Sequence, residues 1–219
     1  MIRNLRVLGL AFVAVLAMSA LAATAAQAAP QFTCSAYECS ATGSNTIGSE
    51  TFTTEAGGVQ CDSHFTVEEV GTTVGTGIQN AETKVTVTPT YTGCTAFGFL
   101  GATVNVEGCD YVFTATEKIA EGVYTHHVDV VCPTGQSIKI TAGTCKAEVK
   151  AQTGLTRVKT TNLANGTVTV QPEVGGISLN VTQDGFGCPF SGTGAKTGSY
   201  HGHVVVAREG GGDISVSGS

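Results

Sequence analysis

Eight cysteines, Cys34, Cys39, Cys61, Cys94, Cys109, Cys132, Cys145 and Cys188, follow an apolar N-terminal stretch that contains none of them. Arg3 and Arg6 precede an uncharged run from Val7 to Ala20, and Ala26-Gln27-Ala28 offers small residues where a signal peptidase reads. Residues 1–28 therefore read as a cleaved, bacterial-type signal peptide. The apolar run is short for a membrane span, and Phe32-Thr33 ahead of Cys34 does not fit a lipid-attachment box. An even number of cysteines exported together reads as a disulfide framework. The expected protein is secreted and extracellular, with no membrane association once the signal is removed.

Loss of Arg3 and Arg6 with the signal moves the formal net charge from −6 to −8. A negative surface disfavours nucleic acid and anionic membranes as partners, and the acidic residues are too scattered to form a binding tail. Residues 29–219 are expected to form a single all-β domain, and a two-domain reading would break at 117–122, the most charged stretch. The chain is expected to be a monomer.

Period-two alternation recurs beyond residue 28, while helical periodicity is almost absent. Val85, Val87, Pro89 and Tyr91 share one face of a strand and Thr86, Thr88 and Thr90 the other. Pro89 cannot donate to a ladder, which suits a strand end or an edge. Strands are expected at 102–106 and 111–116, joined as a hairpin by Glu107-Gly108, and at 123–132, 137–141 and 145–151. Asn165-Gly166 marks the strongest hairpin, between 155–162 and 167–171. Gly175-Gly176, Asp184-Gly185 and 210–212 read as turns around strands at 177–183, 200–208 and 214–216. Short, evenly spaced strands rich in Val and Thr predict an antiparallel β-sandwich of Greek-key or jelly-roll kind. Trp is absent, so the core rests on Val, Ile, Leu and Phe, with Phe52, Phe65, Phe97, Phe99, Phe113, Phe186 and Phe190 as buried candidates.

Eight cysteines allow 105 connectivities. Local turns favour Cys34–Cys39, Cys94–Cys109 and Cys132–Cys145, leaving Cys61–Cys188 as a long closure; the rival joins Cys132 to Cys188, each ending a strand-like run before a Pro. Zinc ligation would need two close Cys pairs, and Cys34 with Cys39 is the one such pair. No cofactor is expected.

The sharpest chemical candidate is His201-Gly202-His203, whose imidazoles would share a strand face and meet a metal with His126, His127 or His64 as third ligand. His127 and Asp129 share a face, as an acid–base pair would. No Gly-x-Ser-x-Gly elbow, calcium loop or phosphate loop is present. The acidic residues fall mostly at turns, where no facing pair suited to glycoside hydrolysis is expected. The row Thr86, Thr88, Thr90 reads as an ordinary solvated strand face, since no repeat stacks further copies of it.

The segments Pro89-Thr90-Tyr91-Thr92-Gly93-Cys94-Thr95-Ala96-Phe97-Gly98, Val128-Asp129-Val130-Val131-Cys132-Pro133 and Asp184-Gly185-Phe186-Gly187-Cys188-Pro189 together resemble a group of exported bacterial proteins of similar length. The resemblance covers most of the chain beyond the signal and implies a recurring strand-and-cysteine domain, with no activity attached. The function expected is that of a secreted structural or binding module, its ligand a carbohydrate or a cell-surface component such as a protein. A non-enzyme is favoured, against a secreted metal-dependent or hydrolytic enzyme built on His201, His203 and His127 or His126.

Overall fold

The computed structural model describes residues 29–218 apart from 37–38, 46–49, 69, 71, 75–76 and 80–81. The signal-peptide reading of residues 1–28 lies outside the described residues. The described chain is built of strands: β1 (Gln31–Cys34), β2 (Ala41–Asn45), β3 (Glu50–Thr54), β4 (Gly57–Glu68), β5 (Thr72–Val74), β6 (Gly77–Gln79), β7 (Lys84–Ala96), β8 (Leu100–Asn105) and β9 (Asp110–Ala120). They continue as β10 (Val123–Val131), β11 (Ile138–Ala142), β12 (Cys145–Val149), β13 (Gln152–Asn162), β14 (Val168–Gln183), β15 (Gly194–His201), β16 (Val204–Arg208) and β17 (Ile214–Ser217).

The fold is all-β and antiparallel, apart from one parallel contact between β1 and β5. Three long strands organise it. β4, β7 and β14, of 12, 13 and 16 residues, each change partners along their length. As a result the large sheet closes twice. One ring runs β4–β7–β9–β10–β13–β14–β16–β2 and back to β4. The other runs β4–β7–β8–β11–β12–β14–β15–β3 and back to β4. Closure leaves no free edge along these ladders, which removes the unpaired backbone groups through which sheets aggregate.

The partner changes explain several departures from the sequence reading. Gly175-Gly176 does not turn the chain: β14 runs through it, and the register with β15 shifts between Val174 and Ile177, with Gly176 at φ 76°. The left-handed residue makes a bulge that bends one strand from the first ring into the second. Conversely, the strand expected over 200–208 breaks after His201, β15 pairing with β3 and β16 with β2. Glu107-Gly108 does form a tight turn, with φ 49° and 77° and Cys109 N–H donating to Val106 O at 2.8 Å. It is nevertheless a crossover and no hairpin, because β8 pairs with β7 and β11 while β9 pairs with β7 and β10. Pro89 sits inside β7, opposite Phe65 of β4. There β7 has no second partner, since β9 leaves at Val87 and β8 arrives at Thr95. Its missing N–H costs nothing at such a one-sided position.

All eight cysteines are paired, as Cys34–Cys39, Cys61–Cys94, Cys109–Cys132 and Cys145–Cys188. The first pair is the expected one. The expected Cys94–Cys109, Cys132–Cys145 and Cys61–Cys188 links are not formed, nor is Cys132–Cys188. Register is the reason: Gln60↔Thr95 and Asp62↔Thr92 put Cys61 against Cys94, and Asp110↔Val131 puts Cys109 beside Cys132. Two of the bonds, Cys61–Cys94 and Cys109–Cys132, tie neighbouring strands or their ends. Four disulfides place the folded chain in an oxidising compartment.

Two buried clusters meet at Tyr111, Phe113 and Val170. Phe65 and Phe190 are buried as expected, and Phe52 and Phe113 pack against the clusters half-buried. Phe97, Phe99 and Phe186 are exposed, by 49, 82 and 84 %. They fall on connections that project beyond the ladders, 97–99 between β7 and β8 and 186 between β14 and β15, so no facing layer covers them.

Candidate functional site

Nearly half of the residues facing the interior are valines, and none is Trp. Valine fits a pleated wall but reaches little further than its Cγ atoms, so opposing walls of an eight-stranded closure do not meet in the middle. A cavity of about 180 Å³ remains. Its walls are apolar almost throughout, from Val59 and Ile140 at one end to Val85 and Val168 at the other. The small sheet β17–β1–β5–β6 covers one end, where Phe32, Ile214 and Val216 face the lumen. At the other end the β14–β15 connection, 184–193, folds back over the hairpin tips. Phe190 meets Phe52 edge-on with centroids 5.9 Å apart, Thr144 N–H donates to Phe186 O at 3.1 Å, and Cys188 is tied to Cys145.

One polar cluster interrupts this wall, at the waist where the two rings meet. Tyr91 lies opposite Ser63 in the one-sided stretch of β7, Tyr111 opposite Val87 and Val130, and Tyr200 opposite Phe52 and Val174, one residue before β15 ends. The Tyr91 and Tyr111 hydroxyls are 2.8 Å apart, and Tyr91 O–H donates to the Tyr200 oxygen at 3.3 Å. Glu50 opens β3 opposite Cys61 and is 2 % exposed. His203 N–H donates to its Oε1 at 3.1 Å. A Cβ on Gly202 would overlap its carboxyl, so the break between β15 and β16 forms the cradle for this side chain. The Tyr200 hydroxyl sits beside the carboxyl, yet no hydrogen bond of normal geometry reaches Oε2.

Burial dominates the protonation chemistry of the cluster. It raises the Glu50 carboxyl above the usual carboxylate range, against weaker opposition from Tyr200 and the His203 N–H. Burial likewise raises Tyr91 and Tyr200 well above the ordinary phenol value and lifts Tyr111 to about 12. All four face the lumen, and among the described residues no Lys, Arg or His does so.

The histidines are dispersed. His126 is 1 % exposed, with Nε2 2.7 Å from Thr160 Oγ1 and its ring stacked on Phe32 at 5.2 Å. His127 points to the opposite, exposed face, as strand alternation requires, and Asp129 accepts from Gly154 N–H at 2.7 Å. His201 and His203 fall on either side of a strand break, so the shared face expected of them does not exist. His64 Nδ1 lies 2.9 Å from Gly43 O on an exposed strand face. Among the described residues no three His, Cys, Asp or Glu side chains are placed to hold a metal ion.

Sequence reasoning missed Glu50 and the tyrosine triad. Four separate strands contribute them, and no local spacing marks their convergence. The one trace is Glu50 itself, an acidic residue at the inward position of a strand start.

The molecule thus belongs to the class of disulfide-stapled, closed antiparallel β-proteins with an apolar lumen. No family model, curated protein or solved structure matches the chain.

Proposed function

We propose that this protein is an extracellular binding module that holds a small apolar molecule in its lumen. The supporting observation is the roughly 180 Å³ apolar cavity bounded by both rings. An engineered apolar cavity of about 150 Å³ stays dry and binds benzene, so this one suits a single aromatic ring or a short branched chain. A purely structural role would favour filling the space, since each unfilled methylene-sized gap costs stability. The test is titration of the oxidised protein with ethylbenzene by calorimetry or NMR. Binding at a single site is expected, and Val174→Phe, which projects a ring into the lumen, is expected to weaken it at least tenfold. Absence of binding in the parent protein sinks the reading.

A second reading rests on a different surface. Phe97 and Phe99, 6.5 Å apart by centroid, and Phe186 stand exposed on the connections at the lidded end. Aromatic faces stack on the apolar faces of sugars, which supports a carbohydrate or cell-surface component as an additional target. A glycan and cell-wall binding screen on the parent and on the Phe97→Ala, Phe99→Ala, Phe186→Ala triple variant tests it, with binding lost in the variant.

A further inference from the structure

Resting on the lumen reading above, we propose that the occupant carries an ammonium head: the site takes a small apolar amine, seated with its nitrogen against Glu50 and the hydroxyls of Tyr91, Tyr111 and Tyr200.

The donor and acceptor inventory carries the argument. Three phenol hydroxyls bring three protons and twice as many lone pairs. Two of those protons are used inside the triad, in the 2.8 Å contact of Tyr91 with Tyr111 and the 3.3 Å bond from Tyr91 to Tyr200. Glu50 adds a carboxyl whose Oε1 accepts one backbone N–H and whose Oε2, fully enclosed, has the Tyr200 hydroxyl beside it and no hydrogen bond of normal geometry. What remains around the carboxyl is a surplus of acceptors, because the Tyr200 proton is turned towards Glu50. An alkylammonium is the complement of such a surface, having three donors and no acceptor.

Charge leads to the same group. Among the described residues Glu50 is the one acidic side chain along the lumen, and no Lys, Arg or His lines it. A carboxylate alone in an apolar wall is costly, and breaking or omitting its counter-ion is what makes it so. The fold nevertheless keeps it there: Gly202 leaves room for the carboxyl, and the His203 N–H orients it. A ligand that brings its own positive charge supplies the missing partner, while the valine-lined walls on either side take its hydrocarbon part.

The experiment compares three probes of nearly equal shape, 2-phenylethylamine, 2-phenylethanol and ethylbenzene, on the oxidised full-length protein at neutral pH. The amine is expected to bind at least tenfold more tightly than ethylbenzene and more tightly than the alcohol. Glu50→Gln is expected to remove the amine's advantage, read as the ratio of amine to ethylbenzene affinity within the same variant. An amine no tighter than ethylbenzene in the parent protein overturns the proposal without recourse to any variant. So does an alcohol that matches the amine, or an advantage that survives Glu50→Gln. Those outcomes leave the lumen reading standing as long as ethylbenzene binds; if none of the three probes binds, it is the lumen reading that fails.

Discussion

His126 is enclosed by Phe32 on one ring face and by Thr160 at Nε2, while its Nδ1 has no partner. Burial lowers its pKa from 6.5 to about 4. The unfolded chain therefore takes up this proton first as pH falls, and the stability carried by the neutral imidazole, complete above pH 6.5, is lost between 6.5 and 4. A depression of that size corresponds to about 3 kcal/mol. Urea midpoints at pH 7 and pH 4.5 are expected to show the decline, and His126→Leu to flatten it. Glu50 acts with the opposite sign. Its folded pKa is raised, so the unfolded chain ionises first and stability falls as pH rises above the ordinary value of 4.5. Glu50→Gln is therefore expected to be more stable than the parent protein at pH 7, as a higher urea midpoint with an unchanged slope.

The 184–193 connection between β14 and β15 is anchored at several points. It is held by Cys145–Cys188, by Phe190 against Phe52 and by the Thr144–Phe186 backbone bond. In the chain-entropy account, loops closed by 23, 33 or 43 residues contribute about 3–4 kcal/mol each. The Cys145→Ala, Cys188→Ala double variant is expected to lose an amount of that order in denaturant unfolding. Amide exchange should accelerate in 184–193 well before it does in β9 and β10; uniform acceleration instead would mean that the bond serves the whole barrel. Several elements were legible beforehand. The alternation over Lys84–Tyr91 is seen in the burial of Val85, Val87 and Pro89 with Thr86, Thr88 and Thr90 outside. The Asn165-Gly166 hairpin forms with Gly166 at φ 76° and Asn162 opposite Val168. Both depend on neighbours in sequence. Gly175-Gly176 and Glu107-Gly108 were legible as irregular backbone only, because a left-handed glycine serves a bulge, a turn or a crossover alike, and distant strands choose among them.

For the molecule as a whole, two ring closures replace the single long covalent tie that the sequence suggested. Strands far apart in the chain, β2 with β16 and β3 with β15, complete the rings through backbone ladders, while each disulfide spans at most 43 residues. Mass spectrometry of non-reduced digests is expected to recover Cys61–Cys94, Cys109–Cys132 and Cys145–Cys188 peptides. A Cys61–Cys188 peptide would contradict the register of β4 with β7. The oxidising compartment, the all-β class, the alternation of strand faces and the valine-rich, Trp-free wall follow from composition and local pattern, because each depends on residue type or on near neighbours. Which cysteines meet, which phenylalanines stay outside, and the gathering of Glu50 with three tyrosines from β7, β9 and β15 follow from register and ring closure. Those are contacts between residues tens of positions apart, and no short stretch of chain encodes them alone.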